Sequence, residues 1–549
     1  MSDALKVWDL QKSIYRQLKK RARSFETEIS DELKSYERNQ RKYANRDYKT
    51  SDFKILTSAI ESSHIVYLGD FHSFDQNTRN LERLTRSLIK QKKKFCIGVE
   101  MVHVENQTAI TAYLSHKITE IEFLEEIQYH ESWRFPWVFY RPFFEMARTH
   151  GLSILALNSE GNLKERDQRA ALIIGDFLEK NPDERMLVLF GELHIVPNKL
   201  PKMVKSRLQG KLSSFQSTII HQNLDEVYWK LHELNIEKHN QIVEFSDREF
   251  SLQTAPPWIK YESMIYWYEN LSDDPEFEIH DYVLNDGIQG LHSNVPENFI
   301  YLAGKIKGAL SLDINEEELE DFNIYEHQNL SIILDKIGRL PKANLSNFLK
   351  RLVKEGRVFR IPFSNNYYCS SYSINRMSFL AGLHIQDIIV RKRNINYEGI
   401  WMESKLVKKF ILILKQNAMG YLASKVINPF RKCDLYLDFK EKTLAISPTP
   451  EATKKVYETA MRIIESDGSE GMRYLFESNS LTHAYETARR LGFYFGEVLY
   501  ENFLVKGSPN YNVILDYLLQ DNLDEESFYE ILKLILPEKE YQLQKKRIF

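Results

Sequence analysis

Ile65-Val66-Tyr67-Leu68-Gly69-Asp70-Phe71-His72 is an uninterrupted apolar run that ends on a glycine and then delivers an acid and a histidine. Three more runs of this kind follow: Phe95-Cys96-Ile97-Gly98-Val99, Ile154-Leu155-Ala156-Leu157 and Met186-Leu187-Val188-Leu189-Phe190. Apolarity without alternation predicts strands covered by helices on both faces. The long amphipathic stretches between them predict those helices, over 77–94, 108–130 in two pieces, 142–150 and 164–180. Pro142 stands where a first-turn proline is tolerated, and Gly151 offers a left-handed stop. The fold class expected is α/β, a mostly parallel sheet with flanking helices. A fifth strand at 217–220 is expected to close this domain near residue 225, with short β segments over 226–255.

Outward from this core, residues 1–50 read as an N-terminal helical arm, 51–255 as the α/β domain, and 256–549 as a large mainly α-helical region packing on or beside it. Helical periodicity there covers 258–271, 296–310, 316–339, 345–354, 375–389, 404–427, 450–464 and 482–504. Boundary signals near Asp273 and Pro448 are weak, and Lys545-Lys546-Arg547 reads as a frayed tail.

Composition narrows the partners. The 549 residues carry 74 Lys and Arg against 77 Asp and Glu, a formal charge of −3, so no generic polyanion binding is expected and no nucleic-acid partner. The basic run Lys19-Lys20-Arg21-Ala22-Arg23 is followed at once by acids and reads as a solvated helix face. Phe410-Ile411-Leu412-Ile413-Leu414 is stopped by Lys415, so no membrane span is expected. Charges interrupt every apolar stretch of the first 25 residues and no lipid-attachment cysteine lies there, which points to a cytoplasmic location. Cys96, Cys369 and Cys433 are far apart and read as buried thiols rather than a disulfide framework or a thiolate zinc site.

In an open parallel sheet, ligands bind outside the carboxyl ends of the strands. Asp70 and His72 follow the first run, Glu100 the second, Asn158 and Glu160 the third, and Glu192 and His194 the fourth. Two of the four tips carry the same Gly-acid-apolar-His arrangement, at 69–72 and 191–194. Imidazole and carboxylate together make a mixed N/O site, suited to a divalent transition metal or to acid–base catalysis without one. The other motifs fail: there is no dinucleotide or phosphate glycine loop, no His-Glu-x-x-His and no Gly-x-Ser-x-Gly elbow. Arg357-Val358-Phe359-Arg360 with Tyr367-Tyr368 reads as helix-plus-hairpin packing rather than a nucleic-acid stacking platform.

Taken together, 66–72, Gly98-Val99-Glu100-Met101 with Gln107 and Tyr113-Leu114, Tyr140-Arg141-Pro142, Ala156-Leu157-Asn158, Arg166-Asp167 and 191–194 resemble, in order, the ChaN-like haem-binding uptake family of the Tiki superfamily. That superfamily also holds erythromycin-esterase-like hydrolases and Tiki metalloproteases. The resemblance spans about residues 64–222. From ChaN it implies haem, and so iron, as the cofactor, although the family's tyrosine ligand has no quotable counterpart; Tyr140 and Tyr67 stand nearest, with Tyr67 expected to face a helix. ChaN proteins are also lipid-anchored in the cell envelope, which this chain's N-terminus does not match. From the hydrolases the resemblance implies His72, Glu100 and His194 as catalytic residues.

The expectations are therefore a haem- or metal-binding protein, with Tyr140, Asn158 and Glu160 on the cofactor and His72, His194, Glu100, Asp70 and Glu192 as metal ligands. The alternative is a metal-dependent hydrolase using His72, His194 and Glu100, and a third reading is an interaction scaffold with a degenerate site.

Overall fold

Each apolar run becomes a strand. The computed structural model describes residues 3–25, 30–212, 214–237, 241–270, 295–326, 329–370, 372–393, 397–403, 406–444, 447, 449–465, 472–473, 475 and 480–535. The weak boundaries at Asp273 and Pro448 and the basic tail lie outside them. Contacts divide the chain into two compact units, residues 15–293 and residues 1–14 with 294–547.

The first unit is built on an eight-stranded sheet. In chain order its strands are β1 (Lys49–Ser51), β2 (Ile65–Asp70), β3 (Phe95–His103), β4 (Ser153–Asn158), β5 (Arg185–Gly191), β6 (Ser217–Gln222), β7 (Ile242–Ser246) and β8 (Glu249–Leu252). They are arranged β1-β7-β8-β6-β2-β5-β3-β4. The six strands from β8 to β4 run parallel, whereas β7 and β1 join antiparallel at the edge. The sheet is thus mostly parallel, as expected, and β8, β7 and β1 extend it beyond β6, so the domain does not end near residue 225.

Of the region 226–255, expected to hold short β segments, residues 242–252 form β7 and β8, but Asp225–Glu233 is a helix. Its buried Val227, Tyr228, Leu231 and His232 fall on one helical face, and Asp225 and Glu226 occupy its acidic first turn.

Before and between the strands lie α1 (Asp3–Ser24), α2 (Asp31–Ala44), α3 (Phe53–Glu61), α4 (Asp75–Lys90), α5 (Gln107–Leu114), α6 (Glu120–Glu126), α7 (Tyr129–Ser132), α8 (Arg141–His150), α9 (Leu163–Lys180), α10 (Leu200–Leu208), α11 (Asp225–Glu233) and α12 (Pro257–Asn270). Alternate strand residues face opposite layers. Val66, Leu68, Ile97 and Val99 pack with residues of α3, α4, α5 and α8. Ile65, Tyr67, Cys96, Met186 and Val188 pack with α9 and α10. Tyr67 therefore faces a helix, as the sequence suggested. Pro142 lies in the first turn of α8, and Gly151 caps that helix at φ 64°.

In the second unit, helices predominate: α13 (Val295–Ala309), α14 (Glu316–Glu320), α15 (Leu330–Gly338), α16 (Ala343–Lys354), α17 (Ile374–Lys392), α18 (Tyr397–Met402), α19 (Leu406–Ile427), α20 (Tyr436–Thr443), α21 (Glu451–Glu465), α22 (Leu481–Val498), α23 (Tyr511–Leu518) and α24 (Glu525–Ile535). A small sheet interrupts them, with β9 (Asn323–Tyr325), β10 (Phe359–Arg360) and β11 (Asn366–Tyr368) in the order β10-β11-β9. The expected helix over 316–339 is consequently split: Asn315 caps a single short helix, and 323–325 pair with β11 instead. The expected helix-plus-hairpin packing of Phe359, Tyr367 and Tyr368 is what the fold builds, with all three rings buried. All three cysteines are buried and free. Among the described residues, no helix is long and apolar enough to cross a membrane.

Candidate functional site

Strand order assembles the site. β2 ends on Asp70 and β5 on Gly191, paired in register, while the neighbouring β3 and β4 bring Glu100 and Asn158. Asp70 and Gly191, far apart in sequence, thus meet along one sheet edge.

Glu100 is the centre. Its carboxylate is 3 % exposed and accepts the Gly191 N–H at 2.5 Å and a hydrogen bond from the Arg166 guanidinium. His72 Nε2 lies 3.9 Å from one carboxylate oxygen and His194 Nε2 3.9 Å from the other. Each imidazole is held from behind by its own aspartate: His72 Nδ1 contacts Asp70 Oδ2 at 2.9 Å, and His194 Nδ1 contacts Asp167 Oδ1 at 2.6 Å. With Nδ1–H donated to a carboxylate, each ring keeps its Nε2 lone pair for the centre.

Gly191 lets the three groups approach. A Cβ there would stand 3.1 Å from Glu100 Oε2, 3.2 Å from His194 Cδ2 and 3.4 Å from His72 Nε2.

The charges set one another. Burial opposes ionisation of Glu100, but His72, His194, Arg166 and the Gly191 N–H together hold its carboxyl below the ordinary value. Burial likewise opposes the charged form of His72, and the Asp70 hydrogen bond with the charges of Asp70 and Glu100 overcomes it, raising that imidazole above its usual value.

The other sequence candidates divide. Tyr140 is buried and its hydroxyl donates to Asp70 Oδ2 and to the His72 carbonyl, both at 3.3 Å, so it braces the His72 dyad. Asn158 Oδ1 accepts from Arg166 Nε at 3.1 Å and so positions the guanidinium that engages Glu100. Glu160 stands away from the cluster, its side chain 95 % exposed and 3.7 Å from His103. Asp70 turns an oxygen to the back of His72 rather than to the centre. Glu192 borders the same cleft among Gln40, Lys260, Asp225 and Glu226, where burial raises its carboxyl against the pull of Lys260. Among the described residues, no group of three or more His, Cys, Asp or Glu side chains is arranged to hold a metal ion.

Over the cluster opens a cleft of about 410 Å³, within the range of small-molecule sites, roughly 300–1,000 Å³. One wall is aromatic. The His72 ring lies edge-on to Trp133 at 4.6 Å and beside Phe135 at 5.1 Å, and Phe135 stacks on Trp267 at 4.4 Å. Leu33, Leu163, Leu193 and Met264 add apolar surface, and Arg23 and Arg41 add cations. At another part of the cleft, Asp225 joins Lys19 at 2.8 Å, Lys260 at 2.9 Å and the hydroxyls of Tyr15 and Tyr261. Those two cations hold the Asp225 carboxyl far below its ordinary value although burial opposes it.

Residues 56–169 match the model of the ChaN haem-binding uptake family of the Tiki superfamily. The matched stretch supplies Asp70, His72, Glu100, Tyr140, Asn158, Arg166 and Asp167, while His194 lies beyond it, just after the next strand. A solved structure titled as cofacial haem binding to ChaN of Campylobacter jejuni is similar at 14% identity and a TM-score of 0.27, covering 38% of this chain and 97% of that one. Comparison with curated proteins gives no significant match.

Sequence reasoning missed several parts of this site. Arg166 and Asp167 carried the resemblance, but nothing in the sequence assigned them to Glu100 and His194. Tyr36 on α2 gave no signal; its hydroxyl donates to Asp167 Oδ2 at 2.9 Å, and its ring packs edge-on to His194. Glu32 of the same helix accepts the Leu163 and Lys164 N–H groups at the start of α9, fixing the turn that carries Arg166 and Asp167. The aromatic wall at 133–135 likewise had no motif to announce it.

Proposed function

We propose that the α/β unit binds haem in the cleft above Glu100, with His72 as the iron-facing imidazole. The observation that carries this reading is the pairing of an Asp-oriented imidazole with an aromatic wall, inside a stretch that matches a haem-binding family model. The residues present suit the group. His72 is held by Asp70 in the tautomer that leaves Nε2 available, Phe135 and Trp267 offer flat apolar faces, and Arg23 and Arg41 at the cleft offer cations for the two propionates. Haem bound there supplies redox or transport chemistry of its own; the chain's part is to bind it, orient it and exclude water. Haemin titrated into the full chain is expected to give a saturable one-to-one change at the Soret band. Absence of any change would overturn the reading.

A second reading rests on one specific observation, the convergence of two imidazoles on a single buried carboxylate at 3.9 Å each. That arrangement suits metal-independent hydrolysis. Glu100 would stabilise one imidazole as an acid while the other takes a proton from water, with Arg166 balancing the charge. Hydrolysis of an activated ester by the metal-stripped chain, abolished in Glu100→Gln, supports it; equal rates in the variant refute it.

A further inference from the structure

The total charge of the chain conceals a local one. Residues 330–366 hold eight Lys and Arg against two Asp and Glu, within a chain whose formal charge is −3. The elements in this stretch are α15, a four-residue turn at 339–342 that begins after Gly338, α16, and the β10–β11 hairpin, closed into a small sheet by β9. Two packed helices joined by a short turn are the parts of which a helix-turn-helix element is made, and in proteins that read duplex DNA the second helix enters the major groove.

We propose that this element docks α16 in the major groove of duplex DNA. The helix has two distinct faces. Leu345, Phe348, Leu349, Leu352 and Val353 are buried, and Phe348 packs edge-on to Tyr485 at 4.9 Å, anchoring the inner face within its own unit. Ala343, Asn347 and Lys354 are exposed along the opposite stripe, with Lys350 half-buried between them and Asn344 beside it.

The chemistry of that stripe suits a nucleic acid. Lys350 and Lys354 make no ion pair or side-chain hydrogen bond among the described residues, so their charges are not already neutralised. Asn344 and Asn347 lie in the first half of the helix, the part that meets base edges, and an asparagine amide can pair with adenine there. Arg351 and Arg357 are engaged by Glu355 and lie near Glu486, so they brace the element instead of reaching outward. The tip of the hairpin is fixed as well: Phe363 holds φ 62°, and its N–H donates to Glu398 Oε2 at 2.5 Å. Arg339 and Arg360 are likewise held by Asp335, Asp387 and Glu398, so the charge presented outward is that of the lysines, and a helix carrying two of them with amide groups at its leading end complements a polyanion of fixed groove width.

The test uses the full chain with a fluorescent random-sequence duplex of about 20 base pairs, followed by anisotropy between about 50 and 200 mM salt. Binding with a dissociation constant in the range of about 1–100 µM, weakening with salt, is expected. Lys350→Glu with Lys354→Glu should weaken it at least tenfold and reduce the salt slope by about one unit per lysine, while the far-UV spectrum and melting temperature match wild type. No binding up to about 100 µM at the lowest salt overturns the proposal. So does unchanged binding by the folded double variant, or equal affinity for single-stranded DNA. A self-association that the double variant abolishes, without DNA binding, would assign the face to protein contact and likewise refute it.

Discussion

His72 Nε2 and Glu100 Oε2 lie 3.9 Å apart, too far for a hydrogen bond and close enough for each charge to set the other. With Asp70 behind the same ring, the charged form is stabilised against the cost of burial and the pKa is raised. In folding terms, this contribution to stability is fully present below the unfolded value of about 6.5 and is lost as pH rises through the higher folded value. A proton-detected titration of the His72 ring should therefore place its midpoint above that of a free histidine, and Asp70→Asn should move it down. A wild-type midpoint at or below the free value would contradict the geometry.

Glu100 has the opposite sign. Its folded pKa is depressed by two imidazoles, a guanidinium and a peptide N–H, so its contribution is present above about pH 4.5 and is lost as pH falls through the lower folded value. Glu100→Gln leaves the Arg166 guanidinium without its counter-charge and the two imidazoles with only the aspartates behind them. A loss of about 3 kcal/mol in denaturant unfolding is expected, the low end for breaking a buried pair because the Arg166 side chain is 21% exposed.

Tyr36→Phe removes only a hydroxyl, but the oxygen it serves is on Asp167, which is fully buried. A loss of roughly 1–3 kcal/mol is expected from the unsatisfied carboxylate. The His194 ring resonances should shift while those of His72 stay in place. Unchanged stability and spectra would mean that α2 merely rests on the site.

Gly191→Ala tests how closely the three groups meet. The new methyl carbon must displace atoms by a few tenths of an ångström, and its neighbours are the groups of the site itself. Haem affinity should fall roughly tenfold or more, with overpacking lowering stability by about 1–3 kcal/mol. Affinity at the wild-type level would show that the cluster tolerates expansion and is less tightly built than its distances indicate.

The strands and their tips were readable because continuous apolar runs and the residues after them are local signals. Strand order was not local. Nothing in the sequence placed β5 between β2 and β3, the arrangement that brings Gly191 beside Asp70 and onto Glu100. The supports were hidden for the same reason: Tyr36 reaches Asp167 across 131 positions and Arg166 reaches Glu100 across 66. The helix at 225–233 lies at the start of a stretch that reads as short β segments; aromatic Tyr228 and Trp229 suit a strand as well as a helix, and burial of the Val227–Leu231 face decides for the helix. The basic stretch at 330–366 disappeared into a near-neutral total because the acids lie elsewhere in the chain.

Haem held against His72 is tested by the haemin dissociation constant of wild type and of His72→Ala, each with and without added imidazole. A saturable wild-type site is expected, with an affinity at least tenfold weaker in the variant and recovery when free imidazole fills the vacated ring position. Equal affinity in the two proteins, or weakening that imidazole does not restore, would contradict it.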